Sequence, residues 1–281
     1  MEIITGKYNG FCYGVKRAVD GALSTKSDKK VYCLGELVHN KQVVEKVKNN
    51  NIEIIETLDE AEDNSIVIIR AHGVEESIYR EASKRNIEII DYTCPFVNKI
   101  HEICKSYRDN NYYIFVVGIK DHPETIGNIS YCGNNYSLIT GMDRIDEAIT
   151  TYNNSELNKS MVIFQTTYNT IIANEIIEYL KNNVIGELVV NNTICASTEL
   201  KQNEVKEISK NVDMMIIIGG KNSSNTNKLY DIAKLNCNNT IKIETKEDLK
   251  DIVIKENKIG IISGASTPKE IVDDVIDYIK K

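Results

Sequence analysis

Cys12, Cys94 and Cys195 lie far apart in the chain, yet each falls where an apolar or extended run hands over to a helix-like one. Their contexts read GFCYGVKRAV, IEIIDYTCPFVNKI and LVVNNTICASTELKQ. A helix amino end favours the thiolate, the form that ligates iron or zinc. Three such ligands leave a tetrahedral ion, or one corner of a four-iron cluster, open for chemistry. Each interval between them has the length of a small α/β unit, so the spacing admits three similar units meeting at one metal. Cys33, Cys104, Cys132 and Cys237 lack this context and read as small buried hydrophobes.

Histidine repeats the pattern. His39 in GELVHNKQ, His72 in IIRAHGVEE and His122 in GIKDHPETIG fall in short loops near strand ends, whereas His101 falls within a predicted helix. MMIIIGGKNSSNTNKLYDIA supplies a strand, two glycines, Ser223, Ser224 and Asn225, then a helix predicted to begin around Thr226. That arrangement suits an anion cradle as well as plain helix capping. GIISGASTPKEIV repeats the device, with Ser266 and Thr267 as expected caps and Pro268 in the first helical turn. Glu124 follows Pro123 at another helix start; in a pocket that excludes water its pKa should rise, letting it hold a proton for a leaving hydroxyl. Thr166 and Thr167, after MVIFQ, extend that relay.

The elements that must position these residues are short apolar runs at 31–34, 66–69, 112–117, 161–164, 214–218 and 259–262, which read as buried strands. Amphipathic stretches at 75–85, 169–182, 198–209 and 269–280 read as helices crossing between parallel strands, so the fold class is α/β. The polar stretch TYNNSELNKS at 151–160 reads as a surface loop. No residue-level repeat or low-complexity tract divides the chain.

The 281 residues can bury a sizeable core, and 34 basic against 41 acidic residues, a formal charge of −7, argue against a nucleic-acid backbone as partner. Seven cysteines without a CxxC pair do not resemble a secreted disulfide framework, so a reducing cytoplasm is expected. The start of the chain lacks a signal-peptide pattern, no apolar run reaches membrane-spanning length, and no glycine fingerprint for a dinucleotide is present.

Taken together, GFCYGVKRAV, LVHN, RAHGV, YTCPFVNKIH, DHPE, QTTYN, NTICASTELKQ, KNSSNTNKL and GASTP resemble, in order and nearly end to end, the 4-hydroxy-3-methylbut-2-enyl diphosphate reductases of the non-mevalonate isoprenoid pathway. The resemblance implies a trefoil of three α/β units with mainly parallel sheets, spanning 13–94, 95–193 and 194–281, with 1–12 packing against the third. At its centre it implies one [4Fe-4S] cluster held by Cys12, Cys94 and Cys195, with one open iron acting as Lewis acid and electron conduit for reductive loss of water. His39, His72, His122, Ser223, Ser224, Asn225 and Ser266 would hold the diphosphate, preferably with the histidines protonated. Thr166 would contact substrate and share proton delivery with Glu124, and Thr167 would contact substrate beside it. The implied products are isopentenyl and dimethylallyl diphosphates. Electrons would come from a transient ferredoxin or flavodoxin to a monomeric, cytoplasmic enzyme without membrane or nucleic-acid partners, and the nucleic-acid-binding extension of some relatives is not expected. A zinc hydrolase with cysteine and histidine ligands, and a non-enzymatic iron–sulfur sensor, are the competing readings.

Overall fold

The computed structural model describes residues 1–281. The chain opens with β1 (Glu2–Thr5), α1 (Tyr13–Ser24), β2 (Val31–Leu34), α2 (Lys41–Lys48), β3 (Ile52–Ile55), β4 (Ile66–Ile69), α3 (Glu76–Lys84) and β5 (Glu88–Asp91). It continues with α4 (Pro95–Asp109), β6 (Tyr113–Val117), α5 (Pro123–Ser130), β7 (Tyr136–Ile139), α6 (Ile145–Asn153), β8 (Lys159–Phe164), α7 (Thr170–Asn183) and β9 (Glu187–Val190). It ends with α8 (Ala196–Ser209), β10 (Met214–Ile218), α9 (Ser224–Asn236), β11 (Thr240–Ile243), β12 (Lys258–Ser263) and α10 (Lys269–Ile279).

All strand pairs are parallel, and they form three four-stranded sheets ordered β3-β2-β4-β5, β7-β6-β8-β9 and β11-β10-β12-β1. The three orders are equivalent, except that the third sheet takes its last strand from the start of the chain, Ile4 of β1 standing opposite Gly260 of β12. Helices cover both faces of every sheet, which is why the central strands are apolar at successive positions. In β6, Tyr113, Phe115 and Val117 pack beneath α6 and α7, while Ile114 and Val116 face α4 and the Tyr131–Cys132 segment after α5. β10 divides in the same way, Met214, Ile216 and Ile218 facing α10, and Met215 and Ile217 facing α8 and α9.

The six strands expected from the sequence are the central pairs β2/β4, β6/β8 and β10/β12. Six more strands, β1, β3, β5, β7, β9 and β11, are the sheet edges, where one side is open and polar residues such as Glu53, Glu88, Glu187 and Lys242 break the apolar run. The stretch 151–160 is not simply a surface loop. Thr151, Tyr152 and Asn153 finish α6, Tyr152 is fully buried with its hydroxyl donating to the Ile185 carbonyl (2.8 Å), and β8 begins at Lys159. An amphipathic last turn whose single large apolar residue sits among asparagines gave too little contrast to be read as helix.

Candidate functional site

Equivalent sheets place equivalent loops. In each sheet the two central strands, β2 and β4, β6 and β8, and β10 and β12, are neighbours whose connections leave in opposite directions, and a crevice opens at their carboxyl ends. The loops after β2, β6 and β10 carry His39, His122 with Glu124, and Ser223, Ser224 and Asn225. Those after β4, β8 and β12 carry His72, Thr166 with Thr167, and Ser266. All of these residues, with Cys12, Cys94 and Cys195, line one cavity.

Each cysteine links one sheet to the helix of the next. Cys12 follows β1 and caps α1 on the first sheet, Cys94 follows β5 and caps α4 on the second, and Cys195 follows β9 and caps α8 on the third. Their backbone N–H groups are fixed alike, donating to the carbonyls of Ala265 (3.0 Å), Ala71 (2.9 Å) and Thr166 (3.0 Å) in the loops after β12, β4 and β8. None of the three side chains caps its own helix, so the sulfurs remain available to a ligand. Gly14 permits the approach of α1, because a Cβ there would stand 2.4 Å from Cys94 Sγ.

The amino ends of α2, α5 and α9 face the same cavity. Their caps are Asn40, His122 and Ser223, each accepting from a first-turn N–H, of Val43 (3.1 Å), Glu124 (3.1 Å) and Thr226 (3.3 Å) respectively. The helix behind the cradle therefore starts at Ser224, two residues before the expected Thr226. Neither Ser266 nor Thr267 caps α10. Ser266 Oγ lies 3.5 Å from the His39 carbonyl and Thr267 donates to the Ile218 carbonyl (3.0 Å), both turned toward the cavity wall rather than along the helix. Six helix amino ends thus converge on one space, a field that favours negative charge.

The three imidazoles touch. His39 stacks on His72 at 4.9 Å between ring centres, and His122 meets them edge-on at 5.9 and 5.3 Å. His72 Nδ1 and both side-chain polar atoms of Asn225 are buried without a hydrogen-bond partner, a costly state that an anionic ligand would relieve. Burial, reinforced by the neighbouring histidines and Arg70, holds His72 well below the usual imidazole range and pushes His122 down to about 3. In the free chain both therefore lean toward the neutral imidazole, and a bound anion would oppose that shift.

Glu124 is 2 % exposed, and its two oxygens accept from Thr166 N–H (2.6 Å) and Thr166 Oγ1 (2.7 Å). Burial raises its pKa to about 7, against the opposing effect of those two bonds. Thr167 Oγ1 lies 3.0 Å from Ser224 Oγ, joining the second sheet's loop to the third's.

The thiolate expectation needs a matching correction. Burial raises Cys12, and raises Cys94 to about 11, outweighing the helix N–H groups of Val15 and Phe96 that pull the other way. The side chains of His39, His72 and His122 have ligand atoms that all lie within 4.8 Å of one another. All seven cysteines are free, and Cys33, Cys104, Cys132 and Cys237 are buried in the apolar layers.

Sequence reasoning passed over Gln165, which is 1 % exposed, accepts from Ile119 N–H (3.0 Å) and donates to Thr167 Oγ1 (3.0 Å), so it fixes the DHPE loop against the Thr166–Thr167 loop. Its position directly after β8, at the head of QTTYN, was the available signal. Arg70 in RAHGV was passed over too, a half-buried side chain whose Nε is enclosed without a partner and whose charge reaches His72 and His122.

The chain matches the LytB protein family over residues 3–280. It is 40% identical over 286 residues to a 4-hydroxy-3-methylbut-2-enyl diphosphate reductase of Thermoanaerobacter sp., covering 100% of this chain and 97% of that protein. The enzyme of the same name from Clostridioides difficile is 38% identical, at 100% and 99% coverage. A Clostridium acetobutylicum relative of that name is 41% identical, and the chain spans 44% of its length. Among solved structures, (E)-4-hydroxy-3-methyl-but-2-enyl diphosphate reductase, the terminal enzyme of the non-mevalonate pathway, is 36% identical with a TM-score of 0.71, at 100% and 99% coverage. The Plasmodium falciparum E-1-hydroxy-2-methyl-but-2-enyl-4-diphosphate reductase scores 0.91 at 29% identity, covering 100% of this chain and 88% of that one. With one cavity drawing on all three sheets and a family match running from residue 3 to residue 280, this chain belongs to the LytB family, that of the 4-hydroxy-3-methylbut-2-enyl diphosphate reductases.

Proposed function

We propose that the chain catalyses the reductive removal of the hydroxyl group of (E)-4-hydroxy-3-methylbut-2-enyl diphosphate, yielding isopentenyl and dimethylallyl diphosphates. The observation that carries this reading is a protonatable, buried Glu124 in the same cavity as three free thiols and an unsatisfied polar cradle. Cys12, Cys94 and Cys195 would hold one [4Fe-4S] cluster with one iron free of protein ligands. When bound, such a cluster supplies electrons and a Lewis-acid site.

The polypeptide supplies the rest. His39, His72, His122, Ser223, Ser224, Asn225 and Ser266 surround the diphosphate, whose many acceptor oxygens need charge-assisted donors once enclosed. Glu124, with a pKa of about 7, is present as both acid and carboxylate near neutrality, the condition for delivering a proton to a departing hydroxyl and being reloaded. Thr166 fixes the carboxyl with two hydrogen bonds, and Thr167 holds the adjoining wall. Two electrons come from an external carrier, a ferredoxin or flavodoxin meeting a monomeric enzyme transiently in the cytoplasm; no helix is long and apolar enough to cross a membrane. Units of 13–94, 95–193 and 194–281, the last completed by 1–12, are the bodies that enclose the substrate.

Anaerobic preparation followed by iron analysis and turnover tests the proposal. About four irons per chain, the content of a four-iron cluster, together with product formation, are expected. Zinc in place of iron would favour a hydrolase, and a loaded protein that turns over no substrate would favour a sensor.

A further inference from the structure

Outside the cavity, one buried charge has no charged partner. Lys201, on α8 beyond Cys195, is 1 % exposed, and its ammonium donates to the carbonyl of Ser263 (3.0 Å) and to that of Tyr8. No carboxylate forms an ion pair with it. Glu204, one turn further along α8, is occupied elsewhere, accepting from the N–H groups of Lys7 (2.6 Å) and Tyr8 (3.4 Å).

The segment that these two side chains grip is the one leading to Cys12. Asn9 accepts from Ser263 N–H (2.7 Å) and donates to the Ile261 carbonyl (3.2 Å), Gly10 N–H donates to Ser263 Oγ (2.8 Å), and Cys12 N–H donates to the Ala265 carbonyl (3.0 Å). α8 therefore clasps residues 7–12 against the end of β12. Two carbonyls satisfy hydrogens of the ammonium but leave its charge uncompensated, an unfavourable state in a buried place. The two carbonyls that hold the ammonium belong to this same assembly, Tyr8 to the segment that ends in Cys12 and Ser263 to the strand end on which Gly10 is fixed, so the charge is set where that segment presents its cysteine.

We propose that Lys201 is a positioning residue for Cys12 and the counter-charge to its metal-bound thiolate, and that it thereby sets the reduction potential of the centre. This rests on the cluster-binding reading of the three cysteines. Adding an electron makes the centre more negative, and a fixed cation nearby stabilises that state.

The test is a redox titration of the cluster-loaded protein, followed by electron paramagnetic resonance, with iron content measured in parallel. Lys201→Gln keeps a donor for the Ser263 and Tyr8 carbonyls and removes the charge. It should retain its iron and lower the equilibrium constant for reduction about tenfold, which is 59 mV for a one-electron couple. Lys201→Arg should restore the wild-type potential. An unchanged potential in a loaded Gln variant would overturn this inference and leave the proposed function standing. A Gln variant that fails to fold while the Arg variant folds would assign the lysine to the fold alone and overturn it as well. A wild-type chain that takes up no iron would overturn the cluster reading and this inference with it.

Discussion

The thiol trio and the imidazole trio are built by the same threefold repetition of loops, yet their electrostatics run in opposite directions. Burial keeps Cys12 and Cys94 protonated, and it keeps His72 and His122 unprotonated. A cation at the thiols must displace protons, whereas an anion at the imidazoles must draw them in. Glu124 stands between these behaviours, at about 7, able to exchange a proton in either direction near neutrality. The difference teaches that one cavity with a single, anion-favouring helix field can still separate the proposed metal wall from the proposed phosphate wall, by the ionisable groups placed on each.

The largest effect should come from breaking the metal wall. Cys94→Ser is expected to lose the cluster and reduce turnover to background, while pyrophosphate binding by the opposite wall survives; iron analysis and calorimetry on the same sample check both. Simultaneous loss of pyrophosphate binding would show that the walls are not independent.

Next comes the group between them. Glu124→Gln should keep its iron and slow turnover by about 10²–10⁴-fold, the span expected of a positioned proton donor. The raised pKa also has a stability consequence. A carboxyl with a pKa of 4.5 when unfolded and about 7 when folded favours the folded state below 4.5 and loses that contribution as pH rises through 7. The Gln variant should therefore be more stable than wild type at pH 8, by about 3 kcal/mol at most, with the gain vanishing at pH 4. Denaturant titrations at the two pH values would decide it, and an equal difference at both would remove burial as the cause.

Smaller losses are expected at the phosphate wall. Asn225→Ala or His72→Asn should weaken pyrophosphate binding by about 10–100-fold, the range for a hydrogen bond to a charged group, with iron content unchanged. Equal affinity in both variants and wild type would empty the cradle of its assigned role.

The finest test of the contrast is pH. Because His122 titrates near 3 in the free chain and His72 lies well below its usual range, pyrophosphate that charges them should bind more tightly as pH falls from 8 to 6. Calorimetry in two buffers of different ionisation enthalpy should then report net proton uptake. Zero uptake would mean that the imidazoles serve the anion as neutral donors.

The legible parts of the sequence follow a physical gradient. Strands buried on both faces, such as β6 and β10, declare themselves by continuous apolar residues, and helix starts at Pro95, Pro123 and Asn169 declare themselves by punctuation. Edge strands such as β5 and β9 do not, because a half-open ladder tolerates glutamate and aspartate. The candidate site residues were visible through residue type and loop context, and the structure gathers them in one cavity. Gln165 was not visible, since a buried amide that ties two loops together differs from a surface glutamine only through contacts 46 residues away in sequence. Lys201 was hidden for the same reason, its partners Tyr8 and Ser263 lying at opposite ends of the chain.

By itself, the sequence determined the α/β class, the central strands and which side chains are candidates for metal-binding, acid and anion-binding chemistry, because these depend on local periodicity and functional groups. The tertiary structure alone decided that β1 closes the third sheet, that three switch points and six helix amino ends share one cavity, and that burial there raises the pKa of Cys12 and Cys94 and lowers that of His72 and His122. Those outcomes depend on burial and on long-range neighbours, and no local run of residues encodes its own desolvation.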